Sequence, residues 1–121
     1  LYTYAGEVEG KGRDEDAIAF LRHERDYQNA LLVEQPNEDF AHAMARQFLF
    51  DAFSLPFYEA LTQSADETLA ALAGKAVKEV RYHLKHSADW VIRLGDGTDE
   101  SHRRMQAAID ALWKYTGELF M

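Results

Sequence analysis

The 121-residue sequence contains no cysteine and only two prolines. Without cysteine, the chain can form neither disulfides nor thiolate metal sites. This composition permits a reducing cytoplasm, which is the location that we expect. Proline and glycine, the strongest helix breakers, are scarce enough to leave long uninterrupted stretches. Since 47% of the residues are hydrophobic, these stretches carry enough apolar surface to bury a core.

Basic stripes and long apolar runs are also missing. The formal net charge is −8, and residues 7–39 hold ten acidic residues against four basic ones. Proteins that bind nucleic acid usually present a basic stripe, so nucleic acid is not an expected partner. No apolar run, Ala30 to Val33 included, exceeds five residues, which is far too short to span a bilayer, and no signal-peptide pattern is present. Neither nucleic acid nor a membrane is therefore predicted as a partner.

The N-terminal third mixes glycines, charges and short apolar groups. Residues 6–13 hold three glycines and are predicted to form a loop. Asp14 is predicted to cap one bent helix or two short ones that end near Glu34, before the stop signal at Pro36. Leu1 to Ala5 has the character of the end of an apolar helix, which suggests a chain trimmed at its start.

Three longer helices are predicted in the rest of the chain. The first is capped by Asn37 and runs to about Gln63; the second starts at a capping box opened by Ser64 and ends at Leu94. Thr98 is predicted to cap the last helix, which runs to about Phe120. One narrow polar stripe marks the first of these helices: Gln47, Asp51, Ser54, Tyr58 and Thr62. Long helices joined by short turns predict an all-α, antiparallel bundle in a single domain.

Inward-facing polar residues in a bundle raise the question of a carboxylate-bridged di-metal centre. Such a centre takes glutamates and Glu-x-x-His pairs, whose spacing places carboxylate and imidazole side by side on a helix. None of the five histidines follows a glutamate at that spacing. Asp39 and Asp99 do precede His42 and His102 by three residues, but both lie at predicted helix starts. Capping of free backbone amides is therefore favoured over metal binding there.

Asp51, Glu79 and His83 are the remaining candidates, as the polar remains of a metal site or as a satisfied buried network. Glu79 and His83 are four residues apart on one helix, so their side chains can meet. A buried carboxylate without partners costs several kcal/mol. We therefore predict that Asp51, and Glu79 or His83 with it, are buried and hydrogen-bonded. No catalytic, cofactor-binding or metal-binding residue is assigned.

A motif longer than any of these spans Asn29-Ala-Leu-Leu-Val-Glu-Gln-Pro-Asn37. The pattern continues in register at Arg81-Tyr-His-Leu84, Arg93-Leu-Gly95, Gly97-Thr-Asp99 and Leu112-Trp113. In these residues the chain resembles the structural C subunits of phenylacetyl-CoA epoxidases, which are multicomponent ring-epoxidising monooxygenases. The resemblance covers essentially the whole chain but only the central part of such a protein. It implies a single ferritin-like domain, truncated at both ends.

The resemblance also implies a role in aerobic phenylacetate catabolism. A C subunit is a non-catalytic, structural partner of a homologous catalytic subunit, which holds the di-iron centre and the phenylacetyl-CoA. NADPH and flavin are implied only for other subunits of the complex, and no cofactor is expected on this chain. Two other interpretations stay open: a metal-binding ferritin-like oxidoreductase in its own right, and a stand-alone helical interaction module.

Self-association is expected as well. The helix that carries the polar stripe is apolar on most of its other sides, whereas one bundle core covers only a single stripe of a helix. An exposed apolar patch of that kind usually marks an interface. The residues concerned are Phe48, Phe50, Phe53, Phe57 and Leu61.

Overall fold

A computed structural model describes residues 1–120, in which six α-helices and no β-strand are found. The helices are α1 (Tyr2–Glu9), α2 (Glu15–Ala19), α3 (Leu31–Glu34), α4 (Phe40–Leu61), α5 (Glu67–Gly95) and α6 (Asp99–Trp113). Two 3₁₀ segments, Glu24–Asp26 and Thr116–Phe120, complete the described secondary structure. The predicted all-α class is confirmed.

The body of the molecule is built from α4, α5 and α6. Residues 62–66 join α4 to α5, and residues 96–98 join α5 to α6. Turns this short make neighbouring helices antiparallel. α4 packs against both other helices, and α5 also touches α6. Because α5 has 29 residues and α6 only 15, α6 covers about half of the length of α5.

The hydrophobic core lies where α3, α4 and α6 meet. Leu32 of α3, Ala45 of α4 and Leu112 of α6 are almost completely buried there. Small side chains on α4 and α6 let the two backbones approach closely, while Val91 and Leu94 of α5 close the cluster from its third side. The core therefore sits beside the C-terminal part of α5, and the N-terminal part of that helix lies outside it.

Two of the four predicted helix caps are confirmed. The carboxylate of Asp14 accepts a hydrogen bond from the backbone amide of Ala17 at 2.9 Å, at the start of α2. The hydroxyl of Thr98 accepts one from the amide of Ser101 at 3.1 Å, at the start of α6. Both bonds satisfy an amide that has no partner inside its own helix.

The other two caps lie two residues further along than predicted. α4 begins after Asp39 rather than Asn37, and α5 begins after Asp66 rather than Ser64. Each true cap is a carboxylate, whose charge interacts favourably with the helix dipole in addition to its hydrogen bond. The hydroxyl of Ser64 instead accepts from the amide of Asp66 at 3.1 Å, within the turn before α5.

The N-terminal third differs most from the prediction. Residues 6–9 belong to α1 rather than to a loop, and Gly6 is buried inside that helix. A Cβ atom at Gly6 would collide with the carbonyl oxygen of Arg13 and contact Ile18, so glycine is needed for close packing there. Gly10, with φ of 71°, ends α1 in the left-handed conformation. The glycine pattern therefore marks a close approach and a helix end.

The remaining boundaries agree in part with the sequence. The two short helices predicted before the Pro36 stop are α2 and α3, and α3 ends at Glu34 as expected. The last helix is shorter than predicted, because α6 ends at Trp113 and the chain continues as a 3₁₀ segment to Phe120. There, the carboxylate of Glu118 accepts a hydrogen bond from the amide of Leu31 at 2.8 Å, which ties this segment to α3.

One hydrogen bond ties α1 to the start of α5. The hydroxyl of Tyr4 donates to the carboxylate of Asp66, which also caps α5. This bond favours the ionised acid and the neutral phenol, so it lowers the pKa of Asp66 and raises the pKa of Tyr4. Because the folded-state pKa of Asp66 is lowered, its contribution is present at neutral pH. That contribution is lost as the pH falls below the ordinary aspartate value of about 3.9, through the lowered pKa.

The Tyr4→Phe variant tests this attachment. Removal of the hydroxyl should leave α1 less firmly held, so its backbone amides should exchange with deuterium faster than in the wild type at neutral pH. The difference should shrink in acid, as Asp66 becomes protonated. Tyr2→Phe, which alters a half-exposed tyrosine of the same helix, is the matched control and should leave the exchange unchanged. Equal exchange in Tyr4→Phe and wild type would contradict the proposed attachment.

Candidate functional site

A buried carboxylate lies between α4 and α5. The Asp51 side chain is 3% exposed and accepts two hydrogen bonds. The amide nitrogen of Gln47 donates to Asp51 Oδ1 at 2.7 Å, and the hydroxyl of Ser87 donates to Asp51 Oδ2 at 2.8 Å. Ser87 is fully buried, so its bond to Asp51 joins the two helices in the interior of the helix pair. Two neutral donors therefore hold one buried acid.

The position of Ser87 follows from the helical period of α5. Residues 80, 84, 87, 91 and 94 are spaced by three and four and form the stripe that faces α4. Four of these positions are Val or Leu, and Ser87 is the polar exception. The sequence prediction did not single out Ser87. A lone serine in an apolar stripe was the available signal, because a buried hydroxyl needs a hydrogen-bond partner.

A pocket of about 270 Å³ opens beside Asp51. Its lining is formed by Gln47 and Asp51 of α4 and by His83 and His86 of α5. Both histidines are exposed at its rim, and the ring of His86 stacks on that of Tyr82 with centroids 6.4 Å apart. The pocket therefore connects the buried carboxylate with the surface of the helix pair.

The structure confirms the prediction for Asp51 and corrects it for Glu79 and His83, both of which are exposed. The reason lies in helix geometry. Each of the two residues directly precedes a member of the buried stripe, and one residue turns a helix by about 100°. Their side chains therefore lie on the flank of α5. Neither takes part in the hydrogen bonds that hold Asp51.

The two Asp-x-x-His pairs belong to helix starts, as predicted. Asp39 accepts a hydrogen bond from the amide of His42 at 2.7 Å, and it lies 3.8 Å from Arg104. Asp99 lies in the first turn of α6. The ring of His102 turns away from it and contacts the carbonyl oxygen of Gly95 at 2.9 Å, in the turn between α5 and α6. Asp39 therefore caps α4, whereas Asp99 follows the cap formed by Thr98 and lies where the helix dipole favours an acid.

His42 is a second buried polar residue, and the sequence did not reveal its burial. Its ring lies between α4 and α6, and among residues 1–120 its Nε2 atom has no hydrogen-bond partner. A cavity of about 140 Å³ borders it and is also lined by Glu38, Asp39 and Arg104. The ion pair between Asp39 and Arg104 thus encloses a space beside the imidazole.

These side chains do not form a metal-binding constellation. Within residues 1–120, no three His, Asp or Glu side chains come close enough together to hold one ion. The two oxygens of Asp51 already accept hydrogen bonds from neutral donors, and the nearest histidines lie on the rim of its pocket. A di-iron centre needs several carboxylates and two imidazoles around a shared space. The residues present do not fit that centre.

No helix among residues 1–120 has the length and the apolar character needed to cross a membrane.

Comparison with known proteins gives two results. A family described as phenylacetic acid catabolic protein matches residues 1–121. The chain is also 52% identical over 118 residues to the C subunit of the 1,2-phenylacetyl-CoA epoxidase of Escherichia coli (strain K12). This match covers 98% of the chain and 47% of the E. coli protein, so the chain spans about half the length of that relative.

Replacement of Ser87 by alanine tests the bond between the two helices. Ser87→Ala removes a buried donor and leaves Asp51 Oδ2 without its partner, so the free energy of unfolding should fall by about 1–3 kcal/mol. Urea denaturation followed by circular dichroism measures the change.

The matched control is Ser54→Ala, since Ser54 is also buried but donates only to the Phe50 carbonyl of its own helix, at 2.8 Å. Loss of such a bond within one helix should have little effect on stability. Equal losses of stability in the two variants would show that the bond to Asp51 contributes no more to the free energy of unfolding than a bond within one helix.

Proposed function

Because the chain belongs to the family of phenylacetic acid catabolic proteins, we propose that it is the non-catalytic, structural subunit of a phenylacetyl-CoA epoxidase complex. In this proposal it acts in the cytoplasm, in aerobic phenylacetate catabolism, and pairs with a homologous catalytic subunit that carries the di-iron centre. Support comes from its 52% identity to the C subunit of the E. coli epoxidase. The proposal assigns no cofactor to this chain. That the residues given form a single domain stays a prediction.

The observation that carries the non-catalytic part is the surroundings of Asp51. In ferritin-like di-iron proteins, the inward faces of the helices supply glutamates and histidines to the metals. Here the inward acid of α4 meets a serine hydroxyl on α5 and an amide on α4. Hydroxyl and amide donors hold a carboxylate in place but supply neither the charge nor the imidazole nitrogens that iron takes. This donor set supports a structural role.

Exposed apolar side chains on the helical body support the pairing. Phe57 of α4, Ile92 of α5 and Trp113 of α6 all have about half or more of their surface exposed. Large aromatic side chains of this kind are typical of the centres of protein interfaces. We include self-association in the proposal, because Phe57 is exposed and its ring stacks on that of Phe53 with centroids 5.3 Å apart, whereas Phe48 and Phe50 pack against the core.

Co-purification tests the pairing. The chain should elute together with a tagged epoxidase catalytic subunit when the two are co-expressed, and it should not elute with an unrelated tagged ferritin-like protein used as the control. An interface of standard size buries about 1,600 Å², which is enough to survive affinity purification. Separate elution of the two proteins would favour a stand-alone helical module.

A metal assay tests the non-catalytic role. The purified chain, produced in medium supplemented with iron, should hold far less than one iron, manganese or zinc ion per molecule when measured by plasma mass spectrometry. The reason is the missing set of carboxylate and imidazole ligands. Two bound ions per chain, held by Glu79 and His83, would instead favour a metal-binding oxidoreductase.

A further inference from the structure

The turn between α5 and α6 contains a chemically labile dipeptide, Asp96-Gly97. We propose that this dipeptide is a site of spontaneous covalent modification, at which the main chain slowly rearranges to isoaspartate, and that the hydroxyl of Ser101 limits the rate by holding the turn closed. The inference concerns contacts within the turn itself. It is independent of the proposed function, because it needs no partner subunit.

The reaction is a cyclisation followed by hydrolysis. The backbone nitrogen of Gly97 attacks the side-chain carboxyl carbon of Asp96, so that a new C–N bond forms and the carboxyl hydroxyl group leaves with the amide proton as water. Water then adds to the cyclic imide. Addition at the main-chain carbonyl breaks the original peptide bond and yields isoaspartate, whereas addition at the side-chain carbonyl restores aspartate. The water taken up equals the water released, so no reactant other than solvent is needed.

Close packing requires glycine at position 97. A Cβ atom there would lie 2.8 Å from Oγ of Ser101 and 3.0 Å from the carbonyl oxygen of Arg93, both closer than ordinary contacts. The missing Cβ atom also removes the main steric hindrance to attack by the Gly97 nitrogen. Among residues 1–120, the Gly97 amide donates no backbone hydrogen bond, and the Asp96 carboxyl takes part in no ion pair. Packing therefore places the least hindered nucleophile directly after an aspartate.

The folded conformation of the turn opposes the cyclisation. Ring closure requires the Gly97 nitrogen to lie on the same side of the Cα–C bond as the Cβ atom of Asp96. With φ of −95° and ψ of 0° at Asp96, this nitrogen is eclipsed with the backbone nitrogen of Asp96 instead. The Asp96 amide donates to the carbonyl of Ile92 at 2.9 Å, which helps to hold that conformation. The ring can therefore close only after the turn opens locally.

Two side chains of α6 hold the turn closed. The hydroxyl of Ser101 donates to the carbonyl of Leu94 at 2.6 Å, and the ring of His102 contacts the carbonyl oxygen of Gly95 at 2.9 Å. Both carbonyls belong to the last turn of α5, where the helix itself supplies no donor. The first turn of α6 therefore fixes the end of α5 across the labile dipeptide. The serine that requires glycine at position 97 also protects the bond that this glycine makes labile.

Rearrangement in this turn would displace α6. Isoaspartate carries the main chain through the side-chain CH₂ group, so it adds one carbon to a connection of only three residues. Met105 and Leu112 of α6 are almost completely buried in the core, which a shift of α6 would disturb. Covalent ageing at Asp96 is thus coupled to the stability of the bundle.

The Ser101→Ala variant tests the inference. The full-length protein is incubated for several weeks at physiological temperature and neutral pH, and trypsin then releases the peptide 94–103. Electron-transfer fragmentation of this peptide distinguishes isoaspartate from aspartate. Loss of the Ser101 hydrogen bond should increase the population of the open turn, and with it the rate of isoaspartate formation at Asp96, by about three- to tenfold. Asp99 lies in the same peptide, in the first turn of α6, and should stay unmodified as the internal reference.

The control is Ser87→Ala, which removes a buried hydroxyl of α5 but leaves the contacts of the turn intact. Faster isoaspartate formation in Ser101→Ala, together with the wild-type rate in Ser87→Ala, supports the inference. Equal rates in Ser101→Ala and wild type would overturn it, and so would an equal acceleration in Ser87→Ala, which would show that general unfolding governs the reaction. Absence of isoaspartate from Ser101→Ala would show that Asp96-Gly97 is not a modification site. None of these outcomes alters the proposed function, which co-purification tests separately.

Discussion

The hydrogen bond from Ser87 to Asp51 sets the relation between the two longest helices, and the rest of the bundle depends on that relation. Apolar side chains along α4 and α5 would tolerate small shifts of one helix along the other, because dispersion contacts have little direction. A buried hydroxyl and a buried carboxylate 2.8 Å apart favour one register, since a shift breaks the hydrogen bond between the helices and leaves Asp51 Oδ2 without a donor. In this sense the polar pair contributes specificity more than stability.

The hydrophobic core uses the register that this pair fixes. Val91 and Leu94 follow Ser87 on the same stripe of α5, so they reach the cluster around Leu112 only when α4 and α5 are correctly aligned. α6 follows α5 after a turn of three residues and packs along α4. Across this turn, the hydroxyl of Ser101 in α6 donates to the carbonyl of Leu94 in α5 at 2.6 Å. One polar contact and one tight turn therefore position the side chains of three helices.

Helical periodicity predicted the three long helices, because their apolar stripes and turn residues are local features of the sequence. It also placed Asp51 on a polar stripe that turns inward. The prediction was wrong where contacts between residues far apart in the sequence determine the local structure. Gly6 looked like a loop residue, but its missing side chain admits the carbonyl of Arg13. Glu79 and His83 were expected beside Asp51, yet one helical position separates each of them from the stripe that faces α4. Which flank of a helix meets its neighbour is a tertiary property, and spacing alone does not fix it.

A buried acid with neutral donors gives the bundle a directional contact between α4 and α5, which a fully apolar interior would lack. Replacement of a buried charged group by an apolar one often stabilises a protein, so the presence of Asp51 is poorly explained by stability. A metal-binding role is not supported by its neighbours, Gln47 and Ser87. What such a group does provide is a defined alignment of α4 and α5, because one of its donors lies on each of the two helices.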